Sequence, residues 1–85
     1  MPYIKQKERE RFDYVLMNLP KIFNKGELEY CIFWLMKHYM TSHEFRYSDL
    51  HDCTYAAIHC GDEFKRLYLD VRENKARETN GDIEA

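Results

Sequence analysis

No dense run of lysine and arginine occurs in this chain, and its formal net charge is −2. A nucleic-acid-binding domain carried by electrostatics needs a concentrated basic face, so the sequence argues against nucleic acid as a partner. Cysteine is sparse too: Cys31, Cys53 and Cys60 are odd in number, and no two make a C-x-x-C pair. On one straight helix Cys53 and Cys60 would stand about 10 Å apart, too far for a disulfide. They read as small buried hydrophobes in a reducing compartment. No apolar run approaches the ~20 residues that span a bilayer, so no membrane partner is expected. The opening MPYIKQKERER is charged, which predicts no signal peptide and makes the cytoplasm the expected location. Glycine-rich phosphate loops are missing; Gly26 and Gly81 each stand alone. Internal repeats, low-complexity segments and strand-like alternation are absent as well.

What is present is helical. Hydrophobic residues at 45% and charged residues at 33% place the chain among globular proteins and not disordered ones. Its 85 residues make one expected domain, 1–85. A domain of this size buries only about 60–65% of the surface its unfolded chain exposes. Phe12, Val15, Leu16 and Leu19 fall at i, i+3, i+4, i+7 and predict a first helix over about 5–19, stopped by Pro20. Asn24 followed by Glu27 is a capping-box variant that starts a second helix over about 25–41. Ser48 is a good N-cap, with Asp49 near the positive end of the dipole, for a third helix over about 48–77. Leu50, Cys53, Ala57, Cys60, Phe64, Leu67 and Val71 keep its 3-and-4 spacing. Ala56, Ala57 and Gly61 make a smooth strip suited to close packing, and Asn80-Gly81 suits a C-terminal cap. The fold class is all-α: a small three-helix bundle with a long C-terminal helix, expected to oligomerise.

The second helix carries the reason for that last expectation. Leu28–Met40 is interrupted only by Glu29, Lys37 and His38. A helix that is apolar nearly all round must be covered nearly all round. Tyr30, Phe33, Trp34 and Tyr39 cannot all point at the other two helices, although Ile22, Phe23 and Phe45 are available to fold over them. Trp and Tyr dominate binding hot spots, so these four residues form the candidate interaction surface, with a second copy of the chain as first partner.

Other chemistries are weaker. Asp52, His59 and Glu63 share a helical face, and imidazole with carboxylate suits zinc or iron. The tight H-E-x-x-H spacing is missing, so an i,i+4 His59–Glu63 pair is the plainer reading and neither metal nor cofactor is expected. Cysteine–histidine catalysis has no local signature, which ranks an enzyme third. Arg66, Tyr68 and Lys75 form a candidate site for a small anionic ligand or nucleotide, gaining force in an oligomer.

Met1-Pro2-Tyr3-Ile4-Lys5, Gly26-Glu27-Leu28-Glu29-Tyr30, Glu63-Phe64 with Arg66, and Asn80-Gly81-Asp82-Ile83 resemble, in this order, a family of short uncharacterised proteins. That family occurs in bacteria and their tailed phages, and its members begin MPYI and end near NGDV. The resemblance implies an intact helical domain, a bacteriophage origin and no particular reaction. It points to Glu27, Tyr30, Glu63, Arg66, Glu73, Lys75, Asn80 and Asp82. The functional expectation is a small non-enzymatic accessory protein acting by protein–protein binding, on a host protein if phage-encoded. The alternative is an oligomer that sequesters a small anionic ligand.

Overall fold

A computed structural model describes residues 2–83. Among them there are three helices and no strand: α1 Gln6–Met17, α2 Lys25–Thr41, and a long third helix. The third runs unbroken through α3 Tyr47–Phe64, a π-helical turn at Lys65–Leu69 and α4 Asp70–Asn80. Its length, about 50 Å by the 1.5 Å rise, sets the long axis of a molecule measuring 53 × 31 × 29 Å.

Local chemistry explains each boundary. α1 stops at Met17, two residues short of the sequence expectation. The Asn18 side chain donates to the Tyr14 carbonyl at 2.6 Å, and its backbone N–H reaches the Tyr14 and Val15 carbonyls. These bonds close the helix before proline has to. Asn24 caps α2, its Oδ1 accepting from Glu27 N–H at 2.8 Å. The Glu27 carboxylate reaches back one residue beyond the cap and accepts from Phe23 N–H at 2.7 Å.

The third helix starts one residue before the expected Ser48 cap. Its N-cap is Arg46, in extended conformation, and the capping oxygen belongs to Asp49, which accepts from Arg46 N–H at 2.8 Å. At the far end Gly81 takes φ +87°, and its N–H donates to the Arg77 carbonyl at 2.8 Å. The helix therefore ends on the Asn80-Gly81 pair, and its last helical residue is Asn80, not Arg77.

The irregularity in the long helix lies at Lys65–Leu69, not at Gly61. Asp70 N–H donates to the Lys65 carbonyl, and Lys65 Nζ meets Asp70 Oδ1 at 2.7 Å over the same five residues. A π turn brings residues five apart onto one face, where an α-helix brings together those four apart. Gly61 faces open space within the chain, contrary to the close approach expected of it.

α2 and α3 form a helical hairpin. The Cys53 thiol contacts the Met36 carbonyl at 3.4 Å, and Cys31, Met36, Met40 and Ala57 are half-buried. Cys53 is the only apolar side chain buried among the described residues. Cys60 is exposed and Cys31 half-buried, so the expectation of three buried cysteines holds for one. Ile22, Phe23 and Phe45 are likewise exposed, and Ile22 lines a groove beside Tyr30 and Cys31 at the start of α2.

α1 stands apart. Among the described residues no α-carbon of α1 comes within 8 Å of another helix. Its ends are nonetheless tied: residues 18–24 lead into α2, and Arg9 Nε donates to the Ile4 carbonyl at 2.8 Å. Pro2 and Tyr3 in turn lie against the middle of the long helix, with Tyr3 beside Arg66. The chain is an open frame. It exposes 8299 Å², where a compact monomer of this mass exposes roughly 5,400 Å². Its radius of gyration is 16.9 Å, against roughly 12 Å for a compact chain of this length.

Candidate functional site

The aromatic face of α2 follows from helical spacing. Tyr30 and Trp34 are four residues apart, so their rings meet edge to face with centroids 6.3 Å apart. Trp34 is 52% exposed and Phe33 59%, far more than aromatic residues of a covered bundle helix retain. Tyr30 also lines a groove of about 560 Å³ with Leu19, Pro20 and Cys31, where the segment after α1 enters α2. On α1, Phe12, Val15 and Leu16 are exposed, as is Leu19 just beyond its end. The two apolar faces belong to consecutive elements of one chain, and neither covers the other.

Tyr39 is separated from the other three aromatic residues. Its ring sits edge-on to His43 at 4.8 Å, and its hydroxyl donates to Asp52 Oδ2 at 3.3 Å. Partial burial first, then the Asp52 carboxylate, raise its phenol above the ordinary value of 10.0. It therefore belongs to a polar knot at the closed end of the hairpin. At the centre of that knot is Asp49, the one charged side chain buried among the described residues. Besides the Arg46 N–H, its Oδ2 takes His43 Nε2 at 3.1 Å, while Oδ1 accepts no hydrogen bond and lies 3.9 Å from the Arg46 guanidinium. The Arg46 N–H bond is the main cause of a depressed Asp49 pKa; burial opposes it, and His43 and Arg46 add to it.

Arg66, Tyr68 and Lys75 are not brought together: no hydrogen bond, ion pair or ring contact joins them among the described residues. Arg66 Nε donates to Glu63 Oε1 at 2.8 Å, which, with Tyr3 alongside, raises the guanidinium pKa. That pair replaces the expected His59–Glu63 pair. Tyr68 packs on Phe64 with centroids 4.7 Å apart. A shallow groove of about 360 Å³ lies beside Arg66, bounded by Pro2, His59, Asp62 and Glu63.

The remaining polar residues that the resemblance singles out serve local structure. Glu27 completes the entry to α2, Glu73 adds to the acidic surroundings of Lys65, and Asn80 is the last helical residue. Asp82 accepts from Arg77 Nε at 3.1 Å, and Lys75 contributes its carbonyl to the Thr79 hydroxyl at 3.1 Å. No group of three His, Cys, Asp or Glu side chains able to hold a metal ion forms among the described residues. No helix among them is long and apolar enough to cross a membrane.

Sequence reasoning missed two features. One is the buried Asp49, whose only signal was its position three residues after Arg46. The other is a ladder of Tyr47, His51, Tyr55 and His59 along α3, with successive centroids 5.7, 6.4 and 6.1 Å apart. Its signal, an aromatic or imidazole ring at every fourth position, was legible but unused.

No curated protein and no solved structure matches the chain. The model of one family, described as a domain of unknown function (DUF6899), matches residues 1–83, and the chain belongs to that family.

Proposed function

We propose that this protein is a non-enzymatic accessory protein that acts by protein–protein binding, assembling with itself through the apolar face of α2. Where the gene is carried by a phage, its further target is a host protein in the infected cytoplasm. The observation that carries this reading is the surface: 8299 Å² is exposed, about 2,900 Å² beyond what a compact monomer of this mass leaves in water. Apolar patches on soluble monomers rarely exceed a few hundred Å². For a pair of chains that excess is about 5,800 Å², the upper end of what obligate assemblies bury.

The test is the mass of the protein in solution beside a thermal-shift screen against nucleotides. An assembly larger than one chain, with no nucleotide raising the melting temperature, is the expected pair of results. A nucleotide that raises it by several degrees would instead favour the sequestering oligomer, because a ligand that binds only the native state stabilises it by mass action. A monomer whose surface takes up no hydrophobic dye would contradict both.

A further inference from the structure

We infer that the apolar stripe of α1 packs on α2 of a second copy of this chain, so that two chains exchange their first helices. The inference rests on the self-association proposed above and specifies which surfaces meet. α1 has 12 residues, and isolated helices of that length are marginal in water. A partner surface must therefore hold it. Its own chain leaves the stripe open: Phe12, Val15 and Leu16 are exposed, and among the described residues no α-carbon of another helix comes within 8 Å of an α-carbon of α1.

The surface that fits is α2. Its 17 residues make a rod of about 25 Å, against about 18 Å for α1. It carries an uncovered aromatic face of Tyr30, Phe33 and Trp34. An exchange in which each α1 covers the other chain's α2 is reciprocal. It has the symmetry of the commonest homodimers, in which both copies use the same patches.

The required occupant is a second copy because the covering has to be permanent. With Cys53 as the only buried apolar side chain among the described residues, one chain has almost no core. A partner met only on occasion cannot provide the burial that folding itself depends on. Another product of the same gene is always present. The area agrees: an excess of about 2,900 Å² per chain is about 5,800 Å² for a pair, at the upper end of obligate interfaces and far above transient contacts.

The experiment uses the full wild-type chain. Isotopically labelled and unlabelled protein are mixed, allowed to exchange, and probed by filtered nuclear Overhauser spectroscopy. Cross-peaks between chains from Phe12, Val15 and Leu16 to Tyr30, Phe33 and Trp34 are expected. In parallel, Leu16→Asp is expected to weaken the assembly about a hundredfold, as burying a charge in place of a leucine should.

An assembly in which the α1 side chains contact only their own chain would overturn the inference and leave self-association standing. So would one in which α1 meets only α1 of the second copy. A monomer at the concentration of the experiment would overturn both. If Leu16→Asp unfolds, the cross-peaks of the wild-type protein still decide.

Discussion

Replacing Trp34 by alanine measures how much of the assembly rests on the α2 face. A buried tryptophan removes up to about 250 Å² from water, and this residue is still 52% exposed in the single chain. About 130 Å² therefore remains to be covered, which at about 25 cal/mol per Å² is worth about 3 kcal/mol per chain. In a symmetric dimer the ring counts twice. Trp34→Ala should then weaken dimerisation by about 6 kcal/mol at most, or roughly four orders of magnitude in dissociation constant. Half of that remains if the neighbours close over the gap. The assay is sedimentation or light scattering across a dilution series, with circular dichroism at each step, helix loss being expected only at the dilutions where the variant dissociates. An unchanged dissociation constant in a folded variant would refute the reasoning. So would a variant that loses its fold while wild-type protein at the same concentrations is already monomeric.

Acid should loosen the closed end of the hairpin. The Asp49 pKa is depressed in the folded chain, so its contribution is fully present above the ordinary value of 3.8 and is lost as pH falls through the folded value. A circular-dichroism titration should show helix loss below about pH 4, with Asp49→Asn less stable at neutral pH and flatter in its acid response. Gly81→Ala places a β-carbon at φ +87°, which should cost about 1 kcal/mol in the last turn and speed amide exchange at residues 77–80. Thiol labelling should modify Cys60 in the native protein and Cys53 only on unfolding, since one is exposed and the other buried. Equal rates for the two would mean that the α2–α3 contact is not formed.

The helices were readable because their signals are local. Phe12, Val15 and Leu16 repeat within one element, Asn24 and Glu27 satisfy amides three and four residues away, and Gly81 supplies a positive φ where the chain turns. What the sequence hid depends on partners whose position cannot be read along the chain. Ser48 looked like the cap of the third helix, yet the Asp49 carboxylate does that work from inside the first turn. The π turn leaves no mark in the apolar spacing, because it rests on shifted backbone bonding, with Asp70 N–H on the Lys65 carbonyl, and on the Lys65–Asp70 contact across it. Tyr39 belongs to the same apolar run as Trp34, but His43 and Asp52, contributed by the loop and the next helix, draw it into a different cluster. Ala56, Ala57 and Gly61 form a smooth strip in sequence, and in one chain Gly61 meets nothing.

The account depends on a folded chain that cannot bury its own apolar side chains. Absolute mass by light scattering, followed down a dilution series with helix content recorded at each step, addresses that dependence most directly. The predicted result is an assembly of at least two chains whose dissociation and loss of helix occur together, since each chain's core is completed by the other. A well-folded monomer that keeps its helices at every dilution and binds no hydrophobic dye would contradict it.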